Sequence, residues 1–287
     1  TTTGYAYLAK LDNNGSLTWA RTLNGSGTGV TIRKIDVDSS GNVFGYSVYS
    51  TSTGGYIKVN SSGTGTDTIT YSQTGNDSVL KGYRNSSGDI WVLYGTATLS
   101  PAPFGGSGIG ITCRNSSGTT LFNYEPNTGL SSTTVQDFIV DSSNNTYVCT
   151  TAVNNTTKIA YLIITKLNSS GAVQWTVAKA YSYLGLITTI TSPKLAIDNA
   201  GSLYISYSYT YSATNASFVD AVSTSTGVQL FSNYFRVNGS AVTVKDLNFY
   251  SDQLIVSTTN DIFNVPANGK VPLAGNYANG GRTYAYY

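Results

Sequence analysis

The segment Ile35-Asp-Val-Asp38-Ser-Ser-Gly41-Asn-Val43-Phe44 joins two apolar runs through a short polar turn. An Asp at the start, followed three residues later by Gly, supplies what an Asx turn and a positive φ require, so the segment reads as a β-hairpin. It recurs as Tyr83-Arg-Asn-Ser-Ser-Gly-Asp-Ile90-Trp91-Val92 and as Phe138-Ile-Val-Asp141-Ser-Ser-Asn-Asn-Thr-Tyr147-Val148. Leu195-Ala-Ile-Asp198-Asn-Ala-Gly-Ser-Leu203-Tyr204-Ile205 is a fourth copy, and Leu247-Asn-Phe-Tyr-Ser-Asp-Gln-Leu254-Ile255-Val256 a degenerate fifth. Aligned on Asp38, Asn85, Asp141, Asp198 and Phe249, the copies step by 47, 56, 57 and 51 residues.

A second hairpin alternates with the first. Tyr7-Leu-Ala-Lys10-Leu-Asp-Asn-Asn-Gly15-Ser-Leu-Thr-Trp19 is matched best by Ile164-Thr-Lys-Leu-Asn-Ser-Ser-Gly171-Ala-Val-Gln-Trp175. Further copies turn on Gly63, Gly118, Gly227 and Gly269, so the six turn glycines step by 48, 55, 53, 56 and 42. Two hairpins per step give four strands per step, the pattern of a β-propeller blade. A lone four-stranded sheet buries neither face well, whereas stacked blades bury both. The fold predicted is all-β, a β-propeller of four-stranded blades. Six blades are counted, with five as the alternative, in a single domain over 1–287. The N-terminal hairpin, residues 5–21, is expected to close the ring with the C-terminal tail Thr283-Tyr-Ala-Tyr-Tyr287. No stretch combines helical periodicity with caps; Lys179 to Ile187 comes nearest, and its Tyr-Ser-Tyr content argues against it.

Composition narrows the function. Charged residues are only 10% of the chain, and 16 Lys and Arg against 14 acids leave +2. Such a field draws in neither nucleic acid nor an anionic membrane. Apolar runs such as Tyr161-Leu-Ile-Ile164 fall far short of the ~20 residues of a membrane span. There is no His, and Glu125 is the single Glu, which removes most acid–base and zinc chemistry. Asp36-Val-Asp38-Ser-Ser40-Gly41 opens like a calcium loop, but its twelfth position is Ser47, and a hairpin turn explains it better. Gly105-Gly-Ser-Gly-Ile-Gly110 has no Lys and leads into a strand, unlike a phosphate cradle. No enzyme activity, metal or cofactor is expected.

Three sets of residues are candidate sites. Cys113 and Cys149 are the only cysteines, either bridged or two buried thiols. Asn-X-Ser/Thr sequons stand at Asn14, Asn24, Asn60, Asn76, Asn85, Asn115, Asn144, Asn154, Asn155, Asn168, Asn215 and Asn238. They are glycosylation sites or tight turns that make sequons by accident. Trp19, Trp91 and Trp175 could stack on sugar rings, but Trp19 and Trp175 hold equivalent places in two repeats, which favours packing between blades.

Trp19-Ala-Arg-Thr-Leu-Asn-Gly-Ser-Gly followed by Ile35-Asp-Val-Asp-Ser-Ser-Gly-Asn-Val-Phe resembles the Asp-Ser-Ser-Gly-Asn β-propeller repeat of secreted bacterial proteins. Together with Ala9-Lys-Leu-Asp-Asn-Asn-Gly-Ser-Leu-Thr-Trp19 it is similar to repeats in phage tail and surface proteins. The Ser, Thr, Tyr and Asn bias also resembles surface filament and coat proteins of thermophilic archaea. The resemblance implies a propeller displayed outside the cell, on a cell, filament or virion surface. The expectation is a non-enzymatic structural or adhesive module that self-associates or docks on other surface or virion proteins. A carbohydrate-binding, lectin-like propeller with glycans as partners is the alternative.

Overall fold

A computed structural model describes residues 6–23, 31–50, 53–64, 66–72, 77–96, 110–130, 132–181, 189–211, 214–237, 240–241, 244–250, 253–258, 262–266 and 284–286. Every regular element among them is a β-strand, and the chain forms a β-propeller. It divides into two compact units, Thr1–Glu125 and Pro126–Tyr287, where the sequence suggested one domain.

In the first unit β1 (Ala6–Leu11) and β2 (Leu17–Leu23) form a hairpin. A four-stranded sheet follows, β3 (Thr31–Val37), β4 (Val43–Ser50), β5 (Thr53–Val59) and β6 (Thr66–Ser72). The next comprises β7 (Asp77–Arg84), β8 (Ile90–Thr96), β9 (Gly110–Arg114) and β10 (Thr120–Tyr124). In the second unit β11 (Ser132–Val140), β12 (Thr146–Asn154), β13 (Ile159–Leu167) and β14 (Val173–Tyr181) make one blade. Another is made by β15 (Thr189–Ile197), β16 (Ser202–Tyr211), β17 (Thr214–Ser223) and β18 (Gln229–Val237), extended by β19 (Ser240–Ala241). Finally β20 (Val244–Tyr250), β21 (Gln253–Thr258) and β22 (Ile262–Pro266) form a three-stranded sheet.

Four sheets thus hold the predicted four-stranded order, all antiparallel, while the first and last sheets show two and three described strands. The tail departs from expectation. Its strand β23 (Tyr284–Tyr286) pairs with β18, placing Tyr286 opposite Phe235.

The turns form as the repeat dictates. Asp38 Oδ1 accepts from the Ser40 and Asn42 amides at 3.0 and 2.8 Å, and Gly41 sits at φ 76. Asp12, Asp141 and Asp198 repeat this bonding. Asn115 and Asn168 make it with an amide oxygen in place of a carboxylate. In the third copy Asn144 takes the glycine's place at φ 62, a conformation Asn tolerates better than most residues.

The core lies between sheets. Leu8 and Trp19 pack with Ile57 and Val59, and Phe44, Tyr46 and Tyr56 pack with Ile90, Val92 and Tyr94. Tyr147, Leu162 and Ile164 pack with Leu195, Leu203 and Ile205. Ala196 and Tyr204 pack with Leu247 and Leu254. Polar devices reinforce these seams. The Trp19 indole donates to Ser61 O at 3.2 Å, and Trp175 donates to Thr224 O at 3.2 Å. Between β14 and the next blade, Lys179 donates to Tyr207, to Ser232 and to Asp220, the last at 3.1 Å. The Asp220 charge and burial push the Tyr207 phenol up, burial being the larger cause.

Candidate functional site

The repeat supplies its own control for locating a site, because a residue that breaks the pattern is not explained by the blade. Two residues before the turn Asp or Asn, the first four copies carry Asp36, Tyr83, Ile139 and Ala196. One residue before it they carry Val37, Arg84, Val140 and Ile197, and six after it Phe44, Trp91, Tyr147 and Tyr204. The acid at Asp36 and the cation at Arg84 each occur in one copy. Phe44 is the exception of a third kind, since the turn aspartates of the third and fourth copies are followed by Tyr.

These three departures meet. Asp36, Asp38, Phe44 and Arg84 line a cleft of about 360 Å³ with Val37, Ser39, Ser40, Asn85 and Ser86, between the β3–β6 and β7–β10 sheets of the first unit. The Arg84 guanidinium lies 4.5 Å over the Phe44 ring and 3.7 Å from Asp38 Oδ2. The backbone amide of Arg84 donates to Asp36 Oδ2 at 3.3 Å, and Asp36 Oδ1 accepts from Val37 N.

The missing phenol explains the arrangement. In the third copy Tyr147 OH donates to Asp141 Oδ2 at 3.0 Å, and in the fourth Tyr204 OH donates to Asp198 Oδ2 at 2.8 Å. Phe44 has no hydroxyl to give. Asp38 Oδ2 accepts from Asn42 Nδ2 at 2.8 Å, as Asp141 Oδ2 accepts from Asn145 Nδ2, and where the third copy adds the phenol it faces Arg84. Burial works to raise Asp38, but the Asn42 and Ser40 hydrogen bonds and the Arg84 charge outweigh it and hold the carboxyl below its ordinary value. The cleft therefore presents an ionised carboxylate, a second carboxylate, a guanidinium and three serine hydroxyls. Among the described residues no group of three or more His, Cys, Asp or Glu is placed to hold a metal ion, and Asp38 is engaged in its turn, as the hairpin reading of that segment required.

The residues singled out in the sequence lie elsewhere. Trp91 is 1% exposed. Trp19 and Trp175 have their indole N–H groups bonded to the next sheet and their rings against Gly63 and Gly227. All three serve packing, and the stacking role on sugars is corrected accordingly. Of the two alternatives that the sequence left open for the cysteines, a bridge or two buried thiols, the second is found: both are free and buried. Cys113 stands opposite Trp91 on β8, and Cys149 joins Ile164 and Leu195 in a core cluster. Burial pushes the Cys113 thiol up to about 12, with a smaller push from Asp89, and raises Cys149 well above its usual value.

Among the sequons, Asn60, Asn85, Asn115 and Asn168 each spend the side-chain oxygen on the amide four residues on. Asn154 accepts from Thr156 and Thr157, Asn144 is the positive-φ turn residue, and Asn215 lies on β17. Asn14 and Asn155 are exposed. Asn24, Asn76 and Asn238, like Gly105 to Ile109, lie outside the described residues.

No family model matches the chain, and no curated protein matches it. Solved structures do. An α-L-arabinanase of Penicillium chrysogenum, solved with arabinobiose, superposes with a TM-score of 0.56 at 11% identity, over 83% of this chain and 78% of that one. A polysaccharide lyase, the PL25 ulvan lyase bound to a GlcA–Rha3S glycan, superposes with a TM-score of 0.55 at 10% identity, over 92% and 70%. The likeness is one of fold. It overturns the expectation of a non-enzymatic structural or adhesive module, which rested on the missing His, the single Glu and a resemblance to surface proteins, since both similar structures are enzymes built on this fold.

Proposed function

We propose that the protein is a carbohydrate-active propeller working outside the cell, and that the Asp36–Asp38–Arg84 cleft holds a sugar. The observation that carries this is the convergence of three repeat-breaking residues, Asp36, Phe44 and Arg84, in one cleft. Its volume falls within the roughly 300–1,000 Å³ of small-molecule sites. Its chemistry suits hydroxyl-rich ligands, since carboxylates accept from sugar hydroxyls while the guanidinium and serines donate. The similar structures act on or bind glycans, as their descriptions state. The extracellular setting is supported by the low charge and the abundance of hydroxyl side chains. The blade number, six with five as the alternative, rests on five copies of the first hairpin and six of the second.

A glycan array probed with the full chain, followed by calorimetry on the hits, tests the reading. Saturable binding that Arg84→Ala abolishes is expected. Absence of any glycan ligand, or binding indifferent to Arg84→Ala, would refute it. The pair of carboxylates favours a second reading in which the bound glycan is also cleaved, with Asp36 and Asp38 as its two carboxyl groups. New reducing ends, lost in Asp36→Asn and Asp38→Asn, would establish cleavage; intact glycan after long incubation would limit the site to binding.

A further inference from the structure

The repeat breaks a second time, at a seam inside the second unit. One residue beyond the outer-strand aromatics Trp19, Phe122 and Trp175, Ala20 pairs with Ala9, Asn123 with Thr112, and Thr176 with Thr165. One residue beyond Phe231, Ser232 pairs with Asp220. Four residues after Trp19, Trp175 and Phe231 stand Leu23, Lys179 and Phe235. The acid and the cation thus each occur in one of these copies, on adjoining blades. They meet: Lys179 Nζ lies 3.1 Å from Asp220 Oδ2.

The surroundings are unlike those of a surface ion pair. Lys179 reaches in from the rim with 37% of its side chain exposed, whereas Asp220 keeps only 6%. The ammonium stands within 5.8 Å of the ring centroids of Tyr181, Tyr207 and Phe218. Each carboxylate oxygen also takes a neutral hydroxyl donor: Tyr207 OH donates to Oδ2 at 2.9 Å, and Ser232 Oγ donates to Oδ1. The Tyr181 and Tyr207 hydroxyls are hydrogen-bonded to each other. Burial, and after it the Asp220 charge, pushes the Tyr207 phenol up, so it stays a donor at any ordinary pH. Among apolar rings an ammonium and a carboxylate can exchange a proton and stand as amine and acid.

We propose that Lys179 and Asp220 join in an isopeptide bond, a covalent tie between the β11–β14 and β15–β18 blades. The step needs no other reactant. The neutral Lys179 Nζ attacks Asp220 Cγ and the C–N bond forms. One Cγ–O bond then breaks, and that oxygen leaves as water carrying both protons given up by the ammonium. Tyr207 and Ser232 already donate to the two oxygens, so one steadies the developing oxyanion while the other attends the oxygen that leaves. The bond would close a loop between residues 41 positions apart, restricting the unfolded chain as a disulfide does. It is independent of the glycan reading of the cleft.

Mass spectrometry of the full chain, purified and then denatured, tests the bond. The intact mass should fall short of the sequence mass by about 18 Da, one water. Trypsin should fail after Lys179, so that residues 167–194 and 195–236 emerge as one joined peptide. Lys179→Ala and Asp220→Ala should each show the full mass of their own sequence. Tyr207→Phe, sampled at intervals after synthesis, should close roughly tenfold or more slowly, as for the loss of an oxyanion donor. A full sequence mass with normal cleavage after Lys179 overturns the proposal and leaves a plain ion pair. The same deficit with cleavage after Lys179 intact, or persisting in Lys179→Ala, overturns it too, because an internal succinimide would then account for the lost water.

Discussion

Trp175 lies on Gly227 of the next blade so closely that a Cβ on the glycine would come within 3.0 Å of the indole. Trp19 and Gly63 stand in the same relation three repeats earlier, with 2.6 Å to the indole. Each pair is completed by an indole donation to a carbonyl of the same turn, Thr224 or Ser61, and by a lysine, Lys166 or Lys10, aimed at that same carbonyl. Two copies of the repeat therefore carry a latch from an outer strand to the next blade's outer turn, and Gly is required there for both its φ of +74 and its absent side chain.

Gly227→Ala should destabilise the protein by about 2–4 kcal/mol, adding left-handed strain to an overpacked indole. Trp175→Phe, which keeps most of the ring but loses the donor, should cost less, about 1–2 kcal/mol. Urea unfolding followed by far-UV circular dichroism measures both. An alanine at 227 tolerated without loss would mean that the latch does not hold the seam.

Phe44→Tyr is the most pointed change available in the cleft. The added phenol should reach Asp38 Oδ2 as Tyr147 and Tyr204 reach Asp141 and Asp198, displacing Arg84 from the carboxylate. Stability should stay within about 1 kcal/mol of the parent, as for other conservative changes at well-bonded positions. Glycan affinity should fall tenfold or more in the same titration. Undiminished affinity would detach the missing hydroxyl from function.

Acid should weaken the first unit through Asp38. Its folded value lies below the ordinary 3.8 of the unfolded chain, so its stabilisation is fully present above that ordinary value and is lost as pH falls through the folded one. Unfolding midpoints measured at pH 7 and again near pH 3 should therefore drop less in Asp38→Asn than in the parent. An identical drop in both proteins would remove Asp38 as a source of acid sensitivity.

Both thiols should be inert in the folded state. Iodoacetamide at pH 8 without reductant should leave the native protein unmodified, since burial holds both groups protonated and only the thiolate reacts. In denaturant, still without reductant, two adducts should appear by mass spectrometry. A mass showing none would restore the bridge.

The hairpins, their alternation and the all-β blade order were legible in the sequence because each is written locally, in turn residues a few positions apart. Asn144 could be read as a substitute for Gly41 by alignment alone. The packing role of Trp19 and Trp175 was legible for the same reason, as an aromatic repeated at one place. The cleft was not, because Asp36 and Arg84 stand 48 residues apart and meet only when two blades stack. A signal existed nonetheless: comparing the copies column by column isolates Asp36, Arg84 and Phe44 before any coordinates. The register breaks, such as that between Ile32 and Lys34, were less accessible, since a bulge shows in pairing and not in composition. The pairing of β23 with β18 was equally hidden, because an exposed blade edge offers the same backbone groups to any strand that reaches it.

The side-chain acceptor at the head of each turn has one further consequence. Asp12, Asp38, Asp141 and Asp198 fill with a carboxylate the role that Asn60, Asn85, Asn115 and Asn168 fill with an amide. Direct deamidation of Asn60, Asn115 or Asn168 leaves the accepting oxygen in place and produces a residue that another repeat already uses. At Asn60, Asn115 and Asn168 ageing that ends in aspartate converts one working turn into another, whereas at Asn85 it would set two carboxylates against each other, because the Asn85 amide now donates to Asp89.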